Sequence, residues 1–122
     1  KIGAKKMKQV INLTKFKATA DLERFGVKDL RSWKEFQEIR NLLYFPLPPT
    51  QEQVSVRVER LAEIARNESE KTGATSVLVS RPPWMMRSLV AELVYFNLTP
   101  VVSFTKKTTD EGMSIIALVE AA

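Results

Sequence analysis

Polar and basic residues follow directly after three short apolar runs of the sequence. They are Asn12, Thr14, Lys15, Ser80, Arg81, Thr105 and Lys106. Hydroxyl, amide and cationic side chains commonly bind phosphate and ribose oxygens, so this set suits an anionic ligand. The formal net charge of +5 at pH 7 favours the same class of partner. The alternative is a basic protein whose charge only solvates its surface, and both interpretations stay open here.

Composition excludes several kinds of active site. The sequence has no histidine and no cysteine, so it has no Ser-His or Cys-His nucleophile pair, no disulfide and no histidine or thiolate ligand for zinc. Neither GxGxxG nor GxxxxGK(S/T) occurs, and no glycine follows a predicted strand, which argues against dinucleotide and P-loop sites. We expect no metal and no cofactor. Cleavage of RNA by the RNA's own 2′-hydroxyl fits these limits, because the protein need only align that oxygen with the phosphorus and stabilise the developing charge.

The central part of the chain predicts one strand–helix–strand unit. An apolar run from Thr75 to Ser80 precedes Arg81-Pro-Pro83, a helix from Trp84 to Asn97 follows, and a second run spans residues 100–105. About thirty residues is the size of one βαβ unit, whose strands are parallel. Ligands of such sheets bind beyond the carboxyl ends of the strands. The polar residues that follow these runs are therefore expected to lie together.

The flanking segments predict further elements of the same kind. We expect a strand at 9–14, a short helix from a Thr19 cap to Arg24, and a short strand at 27–30. Capping boxes at Ser32–Glu35 and Thr50–Gln53 open two helices, the second ending near Lys71 before a left-handed Gly73. The first of these helices should bury Trp33, Phe36, Ile39, Leu42 and Leu43. Residues 44–47 are either an edge strand or an extended connection, and residues 113–119 return as an antiparallel hairpin strand.

Together these elements predict a small Rossmann-like three-layer α/β sandwich with a mostly parallel sheet and a C-terminal antiparallel hairpin strand. Residues 9–122 form the single domain, and residues 1–8 are expected to be a mobile basic tail. The first strand and the 75–80 strand should lie side by side at a switch point. The crevice there should collect Asn12, Thr14, Lys15, Ser80, Arg81 and Lys106.

Each candidate contact also has a purely structural interpretation. Trp84 either stacks on a base or packs under a neighbouring loop, and Arg81 either binds phosphate or is a solvated loop residue. Lys106 and Lys107 either hold phosphate or keep an edge hairpin soluble. The helix from Trp84 to Phe96 is apolar around most of its circumference, which indicates either deep burial or a subunit interface.

Two segments resemble a known family. Val77–Trp84, with Thr99–Ser103, resembles the small CRISPR-associated Rossmann-fold (CARF-like) proteins, which include stand-alone ring nucleases that bind and linearise cyclic oligoadenylates. The segment Val10–Thr14 is similar to the opening of small proteins of prokaryotes and their viruses. The resemblance covers about half of the chain, and residues 81–83 stand where such proteins often place glycine. It implies a two-fold dimer, a ring-shaped ligand across the axis, and metal-independent cleavage.

The resemblance also assigns roles to residues. It implies that Ser80 and Arg81 contact the ribose-phosphate and that Lys15 acts from the opposite side, which makes these three the candidate catalytic residues. The remaining candidate ligand contacts are Asn12, Thr14, Trp84, Thr105 and Lys106. The resulting expectation is a cytoplasmic homodimer, not bound to membranes, that binds a cyclic or short oligonucleotide, with cleavage of that ligand left open. The alternative is a non-enzymatic module that binds nucleic acid through residues 1–8 or a protein through the Trp84–Phe96 helix.

Overall fold

Short strands alternate with helices along most of the chain. The computed structural model describes residues 9–80, 82–108 and 112–121. Its elements are β1 (Val10–Asn12), α1 (Ala20–Arg24), β2 (Val27–Lys28), α2 (Trp33–Leu42), α3 (Gln51–Thr72), β3 (Ser76–Leu78), α4 (Pro83–Tyr95), β4 (Thr99–Thr108) and β5 (Gly112–Glu120). The predicted basic tail at 1–8, Arg81 and residues 109–111 before β5 lie outside the described residues.

The five strands form one sheet in the order β2-β1-β3-β4-β5. The first four strands run parallel to their neighbours, and β5 runs antiparallel to β4. This confirms a mixed α/β fold with a mostly parallel sheet and a C-terminal hairpin strand. It also confirms that β1 lies beside β3, with Ile11 opposite Val77. The strand order therefore reverses between these two strands.

Both faces of the central strands β1 and β3 are buried, which explains their continuous apolar runs. Ile11 and Val77 face a large core against α2, α3 and α4, whose main contributors are Ile39, Val58, Leu61, Ile64, Met85, Leu89 and Leu93. The alternate strand residues Val10, Val27, Leu78 and Val101 face a smaller core with Leu22 of α1 and Leu118 of β5. Because β5 stands four places from β2 in the sheet and still reaches α1, the sheet curls around α1.

The predicted caps form, with one exception. In α3 the Thr50 hydroxyl accepts from the Gln53 amide (3.1 Å) and the Gln53 side chain accepts from the Thr50 amide (2.9 Å). Gly73 ends this helix with φ of 82°, as the left-handed cap requires. In α2 the Ser32 hydroxyl accepts from the Glu35 amide (3.2 Å), but Oε1 of Glu35 is buried without a partner in the described chain. The predicted return bond from the Glu35 side chain to the Ser32 amide therefore does not form.

The structure changes two further expectations and decides between the alternatives in a third. The sequence predicts Trp33 to be core, but it is 58% exposed. It is the first residue of α2, and its ring lies beside Phe36, with centroids 5.3 Å apart, and under the Lys17 ammonium instead of in the core. Residues 44–47 are a connection without strand pairing. The fourth strand is longer than the predicted 100–105, because hairpin pairing with β5 extends it to Thr108.

No helix in the described ranges is long and apolar enough to cross a bilayer.

Candidate ligand-binding site at the carboxyl ends of the central strands

A cavity of about 670 Å³ lies where β1 and β3 end, at the reversal of the strand order. Its lining residues come from the loops after β1 and β3, the connection after α2 and the start of α4. They are Thr14, Lys15, Phe16, Leu43, Tyr44, Phe45, Ser80, Pro82, Pro83 and Trp84. Four predicted site residues, Thr14, Lys15, Ser80 and Trp84, are thus brought together. The position is the one at which parallel α/β sheets bind ligands.

Asn12 organises the loop that forms one wall of this cavity. The side chain is 1% exposed, and its amide nitrogen donates to the Phe16 carbonyl (2.8 Å) and to Asp29 Oδ1 (2.9 Å). Its amide oxygen accepts from the backbone amide (3.0 Å) and the hydroxyl (2.7 Å) of Thr14. Both donors and the acceptor are therefore used inside the protein. The geometry gives Asn12, predicted as a ligand contact, a positioning role.

Asp29 and Thr14 complete this buried arrangement. Asp29 Oδ1 also accepts from the Ala18 amide (2.8 Å), which ties the end of the loop to the residue after β2. The Thr14 hydroxyl lies 3.1 Å from the Phe16 carbonyl and 3.4 Å from the Phe16 amide. With its backbone fixed in this way, the loop holds two exposed side chains, Lys15 and Phe16, at the cavity. The Lys15 ammonium lies 5.5 Å from the Phe16 ring centroid.

The opposite wall is aromatic and is held by an arginine of α3. The Arg57 guanidinium donates to the carbonyls of Leu42 (3.1 Å) and Tyr44 (2.5 Å), which caps the last turn of α2. It also lies 4.2 Å from the centroid of Phe45. The Phe45 ring in turn meets Trp84 edge to face, with centroids 5.7 Å apart. Arg57 thus fixes the connection that carries two lining aromatic residues.

The start of α4 offers side chains more than backbone amides. Pro82 and Pro83 lack N–H groups, and the Met85 amide donates back to the Pro82 carbonyl (3.2 Å). A helix N-terminus normally attracts anions through its free amides, and few remain here. An anion would depend on Lys15 and on the exposed hydroxyl of Ser80. Trp84, 55% exposed in the first turn, presents much of its ring to solvent.

Two predicted contacts lie away from the cavity and one cannot be placed. Thr105 and Lys106 are exposed on the part of β4 that pairs with β5 and do not line the cavity. The reason is the length of β4: Leu78 at the end of β3 pairs with Val101, four residues before Thr105. Arg81 lies outside the described residues.

The sequence interpretation missed Phe16, Tyr44, Phe45, Asp29 and Arg57. An available signal was the aromatic pair that precedes Pro46, since an extended, proline-terminated connection cannot bury both rings. The other signal was Phe16 between two lysines directly after a strand. Asp29 and Arg57 had no sequence signal, because their partners (the Asn12 amide and the Ala18 N–H for Asp29, backbone carbonyls for Arg57) are distant in the sequence.

Among the described residues, no group of three or more acidic side chains could hold a metal ion. No protein-family model, curated protein or solved structure matches this chain. The chemistry of the cavity therefore has to be inferred from its own residues. Its described lining combines exposed aromatic rings and the Lys15 ammonium group with the hydroxyls of Thr14, Tyr44 and Ser80 at the edge of a parallel sheet.

Proposed function

We propose that the chain binds an oligonucleotide of the cyclic oligoadenylate type in the cavity between β1 and β3. The observation that supports this most is the combination of aromatic rings with Lys15 in one cavity at the strand reversal. Nucleotides present a flat base and an anionic phosphate, and aromatic side chains with nearby cations are how proteins bind both without reading sequence. The cyclic form of the ligand comes from an analogy at the level of the fold, namely the resemblance to CARF-like proteins carried by Val77–Trp84 and Thr99–Ser103.

Each lining group has a role in this proposal. Trp84 and Phe16, both exposed, stack on bases, and Lys15 neutralises a phosphate. Ser80 donates a hydrogen bond to a phosphate or ribose oxygen. The finer fold is a Rossmann-like three-layer sandwich, supported by the strand order and by α1 lying on the face opposite α2, α3 and α4. A homodimer places two cavities around a ring-shaped ligand.

Cleavage is the second step of the same proposal. The 2′-oxygen attacks the adjacent phosphorus, the bond to the 5′-oxygen breaks, and the products are a 2′,3′-cyclic phosphate and a 5′-hydroxyl. The proton lost by the 2′-hydroxyl passes to the departing 5′-oxygen, so no water molecule or other reactant is consumed. Lys15 and Ser80 stabilise the charge that develops on the phosphate. The family resemblance implies that Arg81, whose position the structure does not describe, contacts the ribose-phosphate as well. The sequence predicts that this activity takes place in the cytoplasm.

A thermal-shift screen tests the binding step. The ligands are cyclic tri-, tetra- and hexa-adenylate, linear oligoadenylate, common nucleotides and a random RNA. A ligand at a hundred times its dissociation constant stabilises the fold by about 2.7 kcal/mol, which such a screen detects. A shift with cyclic adenylate that is lost in Lys15→Ala and kept in the equally charged control Lys71→Ala supports the proposal. No shift with any adenylate contradicts it.

A cleavage assay in the presence of a chelator tests the second step. The chelator should not slow the reaction, and Ser80→Ala should slow it by more than the accompanying loss of affinity accounts for. Product with a 2′,3′-cyclic phosphate end is expected. A product with a 3′-hydroxyl or a reaction that requires metal would contradict this step without affecting the binding proposal.

Protein docking through α4 is the second candidate function. Val94 and Tyr95 at the end of this helix are 46% and 78% exposed, whereas Met85, Leu89 and Leu93 are buried. A small apolar surface therefore remains at the C-terminal end of α4. Sedimentation of the native chain and of Tyr95→Ser tests this function, since loss of self-association in the variant favours it.

A nucleic-acid-binding arm at residues 1–8 is tested by removing these residues and measuring the binding of random RNA. Loss of RNA binding in the shortened chain favours the arm.

A further inference from the structure

A second space adjoins the cavity. This groove, of about 490 Å³, runs along the proline-rich segment 46–49 to the start of α3, where Thr50, Gln51 and Val54 line it. Phe45 and Trp84 line both the groove and the cavity. The two spaces are therefore neighbours that share one edge-to-face pair of aromatic rings.

We propose that this groove is a second base subsite, so that the ligand spans at least two nucleotides. The inference rests on the proposed function, because the first nucleotide occupies the cavity. The described lining of the groove includes neither lysine nor arginine, and it is apolar apart from Thr50 and Gln51. Such a lining favours an uncharged flat ring over a phosphate, since burying an unpaired phosphate charge is costly.

The polar groups of the groove suit the edge of a base. Gln51 carries an amide with both donors and an acceptor, and the Thr50 hydroxyl, which accepts from the Gln53 amide, keeps its own hydrogen to donate. Leu47 is 75% exposed at this groove, which leaves an apolar side chain for a base to cover. Prolines and leucine supply the apolar contacts, and the amide and hydroxyl supply the hydrogen bonds.

The shared wall is held by contacts within the protein. Arg57 bonds the Tyr44 carbonyl and lies over the Phe45 ring, and Phe45 contacts Trp84. A wall fixed by protein contacts lowers the ordering cost that binding must overcome. Trp84 remains 55% exposed in spite of its contact with Phe45, so its ring is open to a ligand that crosses from one space to the other.

Calorimetric titration with three ligands tests the second subsite. They are adenosine monophosphate, linear diadenylate, and a diadenylate analogue that keeps both sugars and the phosphate but lacks the second base. Diadenylate should bind about tenfold more tightly than the analogue, because only diadenylate has a second base to stack in the groove. Leu47→Ser should remove most of this tenfold difference and leave monophosphate affinity unchanged. The control Val56→Ser, at another exposed apolar position that lines neither space, should leave the difference intact.

The failure of this inference differs from that of the proposed function. Equal affinities for diadenylate and the analogue, or a difference that Leu47→Ser does not reduce, would overturn the second subsite while the cavity stands. No binding of any of the three ligands would overturn both. Displacement of diadenylate by a proline-rich or apolar peptide, combined with equal affinity for the analogue, would assign the groove to a protein partner and overturn the base subsite.

Discussion

The indole ring of Trp84 meets the phenyl ring of Phe45 edge to face, with centroids 5.7 Å apart and an angle of 81° between the planes. This pair joins the start of α4 to the connection after α2, which are far apart in the sequence. It also separates the cavity from the adjoining groove. The ring geometry is one that aromatic pairs favour, worth about 0.5–1.5 kcal/mol beyond area burial. The contact therefore both stabilises the wall and shapes the site.

Replacing Trp84 with alanine should weaken ligand binding and also cost the fold a modest amount of stability. We expect affinity for a cyclic oligoadenylate to fall by about tenfold, because one stacking surface is lost. The free energy of unfolding should fall by about 1 kcal/mol, because the contact with Phe45 is lost although the ring is already 55% exposed. Calorimetry and urea unfolding measure the two effects.

Trp33→Ala is the matched control for this prediction. Trp33 also lies in the first turn of a helix and is 58% exposed, but it does not line the cavity or the groove. Its replacement should leave affinity unchanged. Equal losses in the two variants would show that Trp84 has no particular role in binding.

Arg57→Met should loosen the aromatic wall. The substitution keeps an apolar stem but removes hydrogen bonds to the Leu42 and Tyr44 carbonyls, and we expect a loss of about 1 kcal/mol in unfolding free energy. Ligand affinity should fall as well. Arg66→Met is the control, because Arg66 lies on the same helix over another ring, Phe96, away from the cavity. An affinity that falls equally in both variants would rule out a positioning role for Arg57.

Lys15→Ala should reduce the salt dependence of binding. One ammonium that neutralises one phosphate of a single strand contributes about 0.7 to the slope of log affinity against log salt concentration. The variant should lose affinity mainly at low salt and show a correspondingly shallower slope. Lys71→Ala, which changes the net charge equally at the distant end of α3, should keep the wild-type slope. Equal slopes for wild type and Lys15→Ala would place the phosphate elsewhere.

Asn12→Ala should destabilise the protein and disorder the loop after β1. The variant leaves the Asp29 carboxylate, the Phe16 carbonyl and the Thr14 groups without their buried partner, at a cost of about 2 kcal/mol. Urea unfolding measures this loss, and the exposed Asn41→Ala serves as control. An unchanged unfolding free energy would mean that the buried amide does not hold the loop.

The ion pair between Glu38 and Arg60 predicts a pH effect that is separate from the site. The hydrogen bond from Arg60 lowers the pKa of the Glu38 carboxyl. Because the pKa is lower in the folded chain than in the unfolded chain, the pair stabilises at neutral pH, and this stabilisation is lost as the pH falls through the lowered pKa.

Glu38→Gln tests this effect. The pair is partly exposed, so the variant should lose only about 0.5 kcal/mol at neutral pH, and the difference from wild type should vanish in acid below the lowered pKa. Glu59→Gln, at an exposed position of α3, should show no comparable pH-dependent difference. A loss for Glu38→Gln that stays constant down to acid pH would exclude the lowered pKa as its cause.

Much of the fold could be predicted because local signals agreed with the global arrangement. The apolar runs at Val10–Asn12 and Ser76–Leu78, the capping residues Ser32 and Thr50, and Gly73 each act within a few residues, so the sequence displays them directly. The position of β1 beside β3 followed from the handedness of crossover connections. The exposure of Trp33 was not predicted, because helical spacing alone does not show where the buried stripe of a first turn begins.

The site was only partly predictable. Residues that follow the strands, such as Lys15 and Ser80, are placed by the rule that parallel strands end at one edge. The wall formed by Tyr44 and Phe45 depends on where the connection after α2 lies, which is set by long-range bonds from Arg57. Thr105 and Lys106 do not line the cavity, because the length of the hairpin strands carries them beyond the end of β3.

Fluorescence of Trp84 provides the most direct test of a ligand in the cavity. Trp33→Phe leaves Trp84 as the single tryptophan, and this variant would be titrated with cyclic tri-, tetra- and hexa-adenylate. We expect one cyclic adenylate to change the emission in a saturable manner, and the change to disappear in Lys15→Ala at the same ligand concentration. Unchanged emission with every cyclic adenylate, in a variant that unfolds like wild type, would contradict the proposed site.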